Sequence, residues 1–364
     1  MTTRRNFLKG ASAAATGVVF CGCGLMRSAH AQQLGTRRLP VTINGKRIKT
    51  IDVHSHCNFR EIEALLGNQA SVLMPPAKGA EEAFIEIETR FKGMDAQGVD
   101  MEVLSINPFW YGRDRDFAAQ IVKIQNEKLV ELCAAHPDRF AAFASLTLQA
   151  PDLAVQELET AVRRQGLKGA AIGDNVAGDA FSDPKFHPVW AKAEELGAVL
   201  FIHPSAIPEL SRRLAGSGWL ANTIGNPLGT TIALSHLIFE GTLDRFPGLK
   251  IISAHGGGYL GSYADRSDRA CSVSTSDCNP NIVLKKKPSE YLKQLYFDAL
   301  VFTPEAVRHL AAQVGVSQLV MGSDHPYRWE PHPVDHIFAC TFLSDDEKAA
   351  ILSNTAARLL GIAA

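Results

Sequence analysis

The sequence predicts a (β/α)8 barrel, the TIM architecture, and three observations carry that expectation. Eight short apolar runs alternate with longer amphipathic segments over most of the 364 residues. The runs are near-continuously apolar, as the strands of a parallel sheet covered on both faces are. No glycine-rich phosphate turn follows the first run, which weighs against the runner-up, an open doubly wound sheet.

The strand-like runs are residues 47–54, 101–106, 140–146, 167–172, 198–202, 250–254, 294–299 and 318–322. The helical segments are 81–97, 117–136, 151–165, 184–196, 227–246, 259–270, 304–314 and 345–360. Several begin at proline after a turn residue, as in Ala150-Pro151, Asp183-Pro184 and Thr303-Pro304. Proline suits a first helical turn because its missing N–H would have no partner there. Two longer stretches, 58–78 with Pro75-Pro76 and 204–226, read as loops over the barrel mouth, where pockets are built.

Composition narrows the class of protein. Hydrophobic residues make up 46% and charged residues 21%, which describes a globular chain with a sizeable core. The net charge is −1, from 37 basic and 38 acidic residues, and the densest basic cluster is Lys285-Lys286-Lys287. Such a balance excludes nucleic acid and polybasic membrane contact, both of which need a clustered positive field.

The N-terminus reads as an export signal. Arg4-Arg5-Asn6-Phe7-Leu8-Lys9 has the twin-arginine (Tat) pattern, an apolar Ala/Gly-rich segment follows, and Ala29-His30-Ala31 is a small-x-small cleavage site. Residues 1–31 are therefore expected to be removed, leaving 32–364 as one barrel domain in the periplasm with no stable membrane association. Beyond this leader stand Cys57, Cys133, Cys271, Cys278 and Cys340, too sparse for a disulfide scaffold, although Cys271 and Cys278 could pair in an oxidising compartment. Cys57, beside the histidine pair described next, reads as packing.

The chemistry gathers at strand ends. The first strand ends in Asp52-Val53-His54-Ser55-His56, and residues at i and i+2 of an extended strand share a face. The fifth ends in Phe201-Ile202-His203-Pro204, the sixth in Ala254-His255-Gly256-Gly257-Gly258, and the eighth in Gly322-Ser323-Asp324-His325-Pro326. In such barrels the C-terminal strand ends form one rim. Neutral imidazoles at His54, His56 and His203 with the Asp324 carboxylate suit one divalent ion, zinc in first place and manganese as the alternative. His255, with three glycines that let chain and substrate approach closely, is better suited to acid–base work than to ligation, and Asp324 is a second candidate for proton transfer. Asp52 reads as support for the strand end.

The order HxH, FxHP, AHGGG, GSDxP resembles the amidohydrolase-related branch of the metal-dependent amidohydrolase superfamily, and within it the decarboxylases of aminocarboxymuconate semialdehyde and of resorcylate. His136-Pro137-Asp138-Arg139-Phe140 and Arg245-Phe246-Pro247-Gly248-Leu249-Lys250 extend the likeness beyond the metal motifs. The resemblance implies the barrel, the ion on His54, His56, His203 and Asp324, and His255 as catalytic base. It also implies a homodimer in which Arg266 reaches the partner's substrate, and Trp219 as a pocket wall. Related barrels bridge two metals with a lysine at the end of strand four; here Gly173-Asp174-Asn175 stands there, which favours a single ion.

Departures from the family bear on the substrate. Residues 61–89 contain no arginine, where the muconate-semialdehyde enzyme has one for a substrate carboxylate. Trp110, in Asn107-Pro108-Phe109-Trp110-Tyr111, and Arg328, in His325-Pro326-Tyr327-Arg328-Trp329, are candidate substrate contacts. The sequence thus favours a metal-dependent, non-oxidative decarboxylase of a small aromatic or unsaturated acid. A hydrolase of a lactone, ester or amide using the same metal is the alternative, and a periplasmic ligand-binding protein is the non-enzymatic one.

Overall fold

A computed structural model describes residues 40–363 except Ala206. The leader, residues 1–31, lies outside the described residues. A hairpin of β1 (Thr42–Ile43) and β2 (Lys46–Arg47) comes first. Its turn is Asn44-Gly45, both at positive φ (51° and 75°), the backbone that two-residue hairpins require. Arg47 therefore belongs to the hairpin and not, as expected, to the first barrel strand.

Eight parallel strands follow: β3 (Ile51–His56), β4 (Met101–Ser105), β5 (Phe140–Ala142), β6 (Gly169–Ile172), β7 (Val199–Ile202), β8 (Lys250–Ser253), β9 (Tyr296–Asp298) and β10 (Leu319–Val320). β3–β5 pair in sequence order, as do β6–β10. Two seams join the groups. Ala144 bridges Ala170 at one, and at the other Ser55 bridges His325 while Val53 N–H donates to the Met321 carbonyl. The predicted barrel is the observed architecture, with strands shorter than the apolar runs.

Alternation sorts each strand between two cores. Val103, Phe143, Val199, Phe201 and Ile252 pack together in one cluster, with Ala356 and Leu360 of the last helix against it. Their sequence neighbours Leu104, Ala142, Leu200, Ile202 and Ile251 pack in the second, larger cluster with the surrounding helices. This is the period-2 signature of a sheet buried on both sides. β3 departs from it. Val53 belongs to the inner cluster, yet His54 also touches the inward Phe201, ring centroids 5.1 Å apart. The register of β3 on β4 shifts between Asp52 and Ser55, and such a bulge re-aims side chains.

Several helical expectations change at their ends. The helix expected over 227–246 breaks into Asn226–Phe239 and Thr242–Arg245, because Gly241 takes the left-handed conformation (φ 71°). The one expected over 259–270 is a series of short turns, Gly261–Tyr263, Ala264–Ser267 and Ala270–Val273. The stretch 58–78 is not an open loop; it folds as Arg60–Leu66 and the 3-10 turn Gly67–Leu73. Cys57 is buried in the outer core as expected, and Cys271 is bonded to Cys278. Among the described residues no helix is long and apolar enough to cross a membrane.

Candidate metal centre

β3 supplies His54 and His56, the segment after β7 supplies His203, and the segment after β10 supplies Asp324. All four are buried, and one donor atom of each lies within 4.8 Å of the others. His54 Nε2 is 3.1 Å from His56 Nε2 and 3.2 Å from Asp324 Oδ1, and His56 Nε2 is 2.9 Å from that same oxygen. Donors bound at about 2.1 Å to one ion sit roughly 3 Å from each other, so these spacings fit a shared divalent cation.

The hydrogen bonds around the ring set the tautomers. His54 Nδ1–H donates to Asp298 Oδ2 at 2.6 Å. The Ser105 hydroxyl donates to the Ser55 carbonyl at 3.0 Å and so accepts from His56 Nδ1–H at 3.1 Å. Both rings thereby turn an Nε2 lone pair toward Asp324. His203 Nδ1 and Asp324 Oδ1 are buried with no hydrogen-bond partner, a costly arrangement that a cation relieves.

Electrostatics agree with the geometry. Burial pushes the pKa of Asp324 up, but His54 and its histidine neighbours outweigh it and hold the carboxylate well below its usual range. Burial lowers His56 and His203, keeping them neutral as ligands must be. At His54 burial also works downward, but Asp324 and Asp298 prevail and raise the pKa to about 10, so an ion competes there with a proton.

His255 stands beside this set without joining it. Its Nε2 is 3.7 Å from Asp324 Oδ2, and its ring centroid is 5.1 Å from His54 and 5.3 Å from His203. Its own φ is 54°, and the turn that follows needs glycine: a Cβ on Gly258 (φ 65°) would fall 2.0 Å from the Pro227 carbonyl oxygen.

Three supports were not anticipated. Asp298, ending β9, accepts the His54 Nδ1–H and the backbone N–H groups of His255 (3.0 Å) and Gly256 (2.9 Å), tying His54 and the His255 turn together. The only signal in sequence was a carboxylate closing the apolar run 294–299. Buried Arg90 donates to Glu102 (2.7 Å) and to the His56 carbonyl (2.9 Å), and Glu102 also meets His325 Nδ1 at 2.6 Å. The last support is on the pocket side, where Asp174 accepts the Ser205 N–H at 3.2 Å. Asp52 behaves as expected: it accepts the His54 N–H at 2.9 Å and the Ser323 hydroxyl and does not join the donor set.

A cavity of about 450 Å³ opens over His203 and Asp324. Trp219 forms part of its wall, stacked on Trp329 at 5.8 Å between centroids and 17° between planes. Two of the expected contacts are corrected by one residue each. Trp110 is fully buried with its indole N–H on the Leu146 carbonyl (2.8 Å), and Phe109 lines the cavity instead. Arg328 points outward to Glu82, while Tyr327 and Trp329 line the cavity. Arg266 is exposed in a separate cleft beside the Cys271–Cys278 bridge, away from this chain's own donor set.

Comparison with known proteins follows the same lines. The family profile described as Amidohydrolase matches residues 51–362. The 2-amino-3-carboxymuconate-6-semialdehyde decarboxylase of Dictyostelium discoideum is 30% identical over 279 residues, 76% of each chain. The gamma-resorcylate decarboxylase of Rhizobium radiobacter is 30% identical over 284 residues, 75% of this chain and 86% of the relative. Among solved structures, 2,6-dihydroxybenzoate decarboxylase from Rhizobium superposes with a TM-score of 0.75 at 26% identity, over 86% of this chain and 99% of that one. Dihydroxybenzoic acid decarboxylase from Polaromonas, solved with bound manganese, shares the fold at a TM-score of 0.75 and 24% identity, over 86% and 97%.

Proposed function

The chain belongs to the amidohydrolase family, and from that premise we propose that it is a metal-dependent, non-oxidative carboxy-lyase acting on a small aromatic carboxylic acid. The observation that carries this reading is a single cavity with a buried His3Asp donor set at its base and aromatic rings in its wall. Relatives named as decarboxylases of aromatic or unsaturated acids support it. They lend nothing to the lactone, ester or amide hydrolase.

The residues divide the work. His54, His56, His203 and Asp324 hold one divalent ion, which supplies a Lewis-acid anchor for an acidic oxygen of the substrate. Trp219, Trp329 and Phe109 orient the ring and exclude water. When CO2 departs, the electron pair of the broken C–C bond stays on the ring carbon, which must take up a proton. His255, above the donor set, carries that proton at Nε2. Asp298 and Asp52 keep ligand and acid–base groups in register.

Zinc is the ion we favour for this donor set, with manganese as the alternative, because His3Asp accepts both. The enzyme acts as a homodimer, with Arg266, exposed outside its own cavity, reaching toward the partner's substrate. The twin-arginine motif at Arg4-Arg5 and the cleavage site at Ala29-His30-Ala31 support Tat export to the periplasm. The test is incubation of zinc- or manganese-loaded enzyme with hydroxylated benzoates while measuring CO2 and the decarboxylated phenol. Release of only ring-opened acids from lactones would overturn the lyase.

A further inference from the structure

The long segment over the cavity is fastened at both ends to one buried carboxylate. That segment gives the wall Ser205, Trp219, Ala221, Asn222 and Asn226. It also carries Arg212 and Arg213, exposed and without an ion pair among the described residues. Where it sits therefore fixes both the aromatic wall and the charge beside the mouth. Among its described residues from 207 to 224 none is buried, so no core of its own holds it in place.

Asp174, two residues past β6 and 4% exposed, meets the start of the segment. Its Oδ1 accepts the Ser205 N–H at 3.2 Å, and the Asn175 amide donates to the same oxygen at 2.9 Å. Its Oδ2 meets the far end, where a Cβ on Gly229 would fall 1.9 Å away. Gly229 lies inside the α-helix Asn226–Phe239, where the backbone asks for no glycine and alanine is ordinarily the more stable choice. The approach of the carboxylate is what the missing side chain admits. Ile207 Cδ1 would stand 3.7 Å from that same Cβ, so both ends of the segment and Asp174 share one corner.

We propose that Asp174 is a positioning residue that pins both ends of segment 205–229 and so holds Trp219 and Asn222 against the substrate. Its hydrogen-bond partners include neither a metal donor nor His255, so it acts on substrate binding and not on the bond that breaks. The substrate side of this role rests on the carboxy-lyase reading; the pinning does not.

The test combines amide hydrogen exchange with kinetics on the metal-loaded protein. Asp174→Ala should speed exchange across residues 207–225 at least about tenfold and leave the strand peptides unchanged. It should raise KM for 2,6-dihydroxybenzoate and Kd for salicylate about tenfold, with kcat within about threefold and metal content unchanged. Asp174→Asn keeps the acceptor and the shape, and should return KM to within about threefold of the unaltered protein. Gly229→Ala should loosen the segment as Asp174→Ala does, against its helix propensity. Added to Asp174→Ala it should have no further effect, because the carboxylate it would strike is gone. Unchanged exchange in both single variants overturns the proposal, and so does an additive loss in the double variant. Loss of metal from Asp174→Ala also overturns it, since the residue would then act through His203. The two readings fail separately: no CO2 from any acid, with faster exchange in the variants, sinks the lyase and leaves the pin standing.

Discussion

The metal centre and the cavity wall share His203 and Asp324 and are built by opposite means. Three of the four donors have a second residue behind them: Asp298 behind His54, Ser105 behind His56, and Asp52 behind the Ser323-Asp324 turn. The wall is made of side chains from turns, where Phe109 and Trp329 face the cavity while Trp110 and Arg328 beside them face away. The base of the site is braced from behind, and the wall is held by fewer such contacts.

The sharpest way to break that contrast is at the base. His56→Ala should lower kcat/KM by about a thousandfold or more and reduce metal content well below one ion per chain, read by CO2 assay and elemental analysis. Activity surviving chelation would remove the metal from the mechanism altogether. One step back, Asp298→Asn should weaken metal affinity about 10–100-fold, measured by competition with a chromogenic chelator, with turnover largely restored at saturating metal. If affinity is unchanged, the bond to His54 is merely structural.

At the wall the expected effects are smaller and differ in kind between neighbours. Trp110→Ala removes a fully buried ring and should cost about 3–5 kcal/mol in denaturant unfolding. Trp219→Ala should leave stability within about 1 kcal/mol and raise KM instead, because that ring is half exposed and stacks on Trp329. Equal stability losses for the two variants would show that the wall is as constrained as the core. Arg328→Ala should change kcat/KM by less than about twofold, since its partner Glu82 is on the outside.

A pH experiment addresses the junction of the two regions. Burial raises the carboxyl of Asp174, behind Ser205, to about 6 from an ordinary value near 3.8. A folded pKa above the unfolded one means that the folded state binds more protons between them. Its stabilising contribution is complete below about pH 4 and is lost as pH rises through 6, by up to about 3 kcal/mol. Asp174→Asn should flatten that part of the stability–pH curve, and parallel curves for the two proteins would contradict the assignment.

The barrel and its metal ligands were legible because both depend on local rules. Apolar runs with period-2 burial define strands, and C-terminal strand ends define the active rim, so His54, His56, His203, His255 and Asp324 could be read off in order. Trp110 and Arg328 were misjudged by one residue because composition names an aromatic or basic cluster but not its rotation, which in a turn is set by packing from distant segments. Asp298 closes a strand as the other site residues do, but it carried no motif.

The sequence by itself determined the architecture, the donor set and the place of His255 beside it, since strand periodicity and chain order suffice to bring those residues to one rim. Tertiary structure alone decided the bulge that turns His54 inward, the Arg90–Glu102–His325 web behind it and which loop side chains form the wall. Those features arise from pairings between β3, β4 and the segment after β10, residues far apart in the chain whose contacts no local pattern encodes.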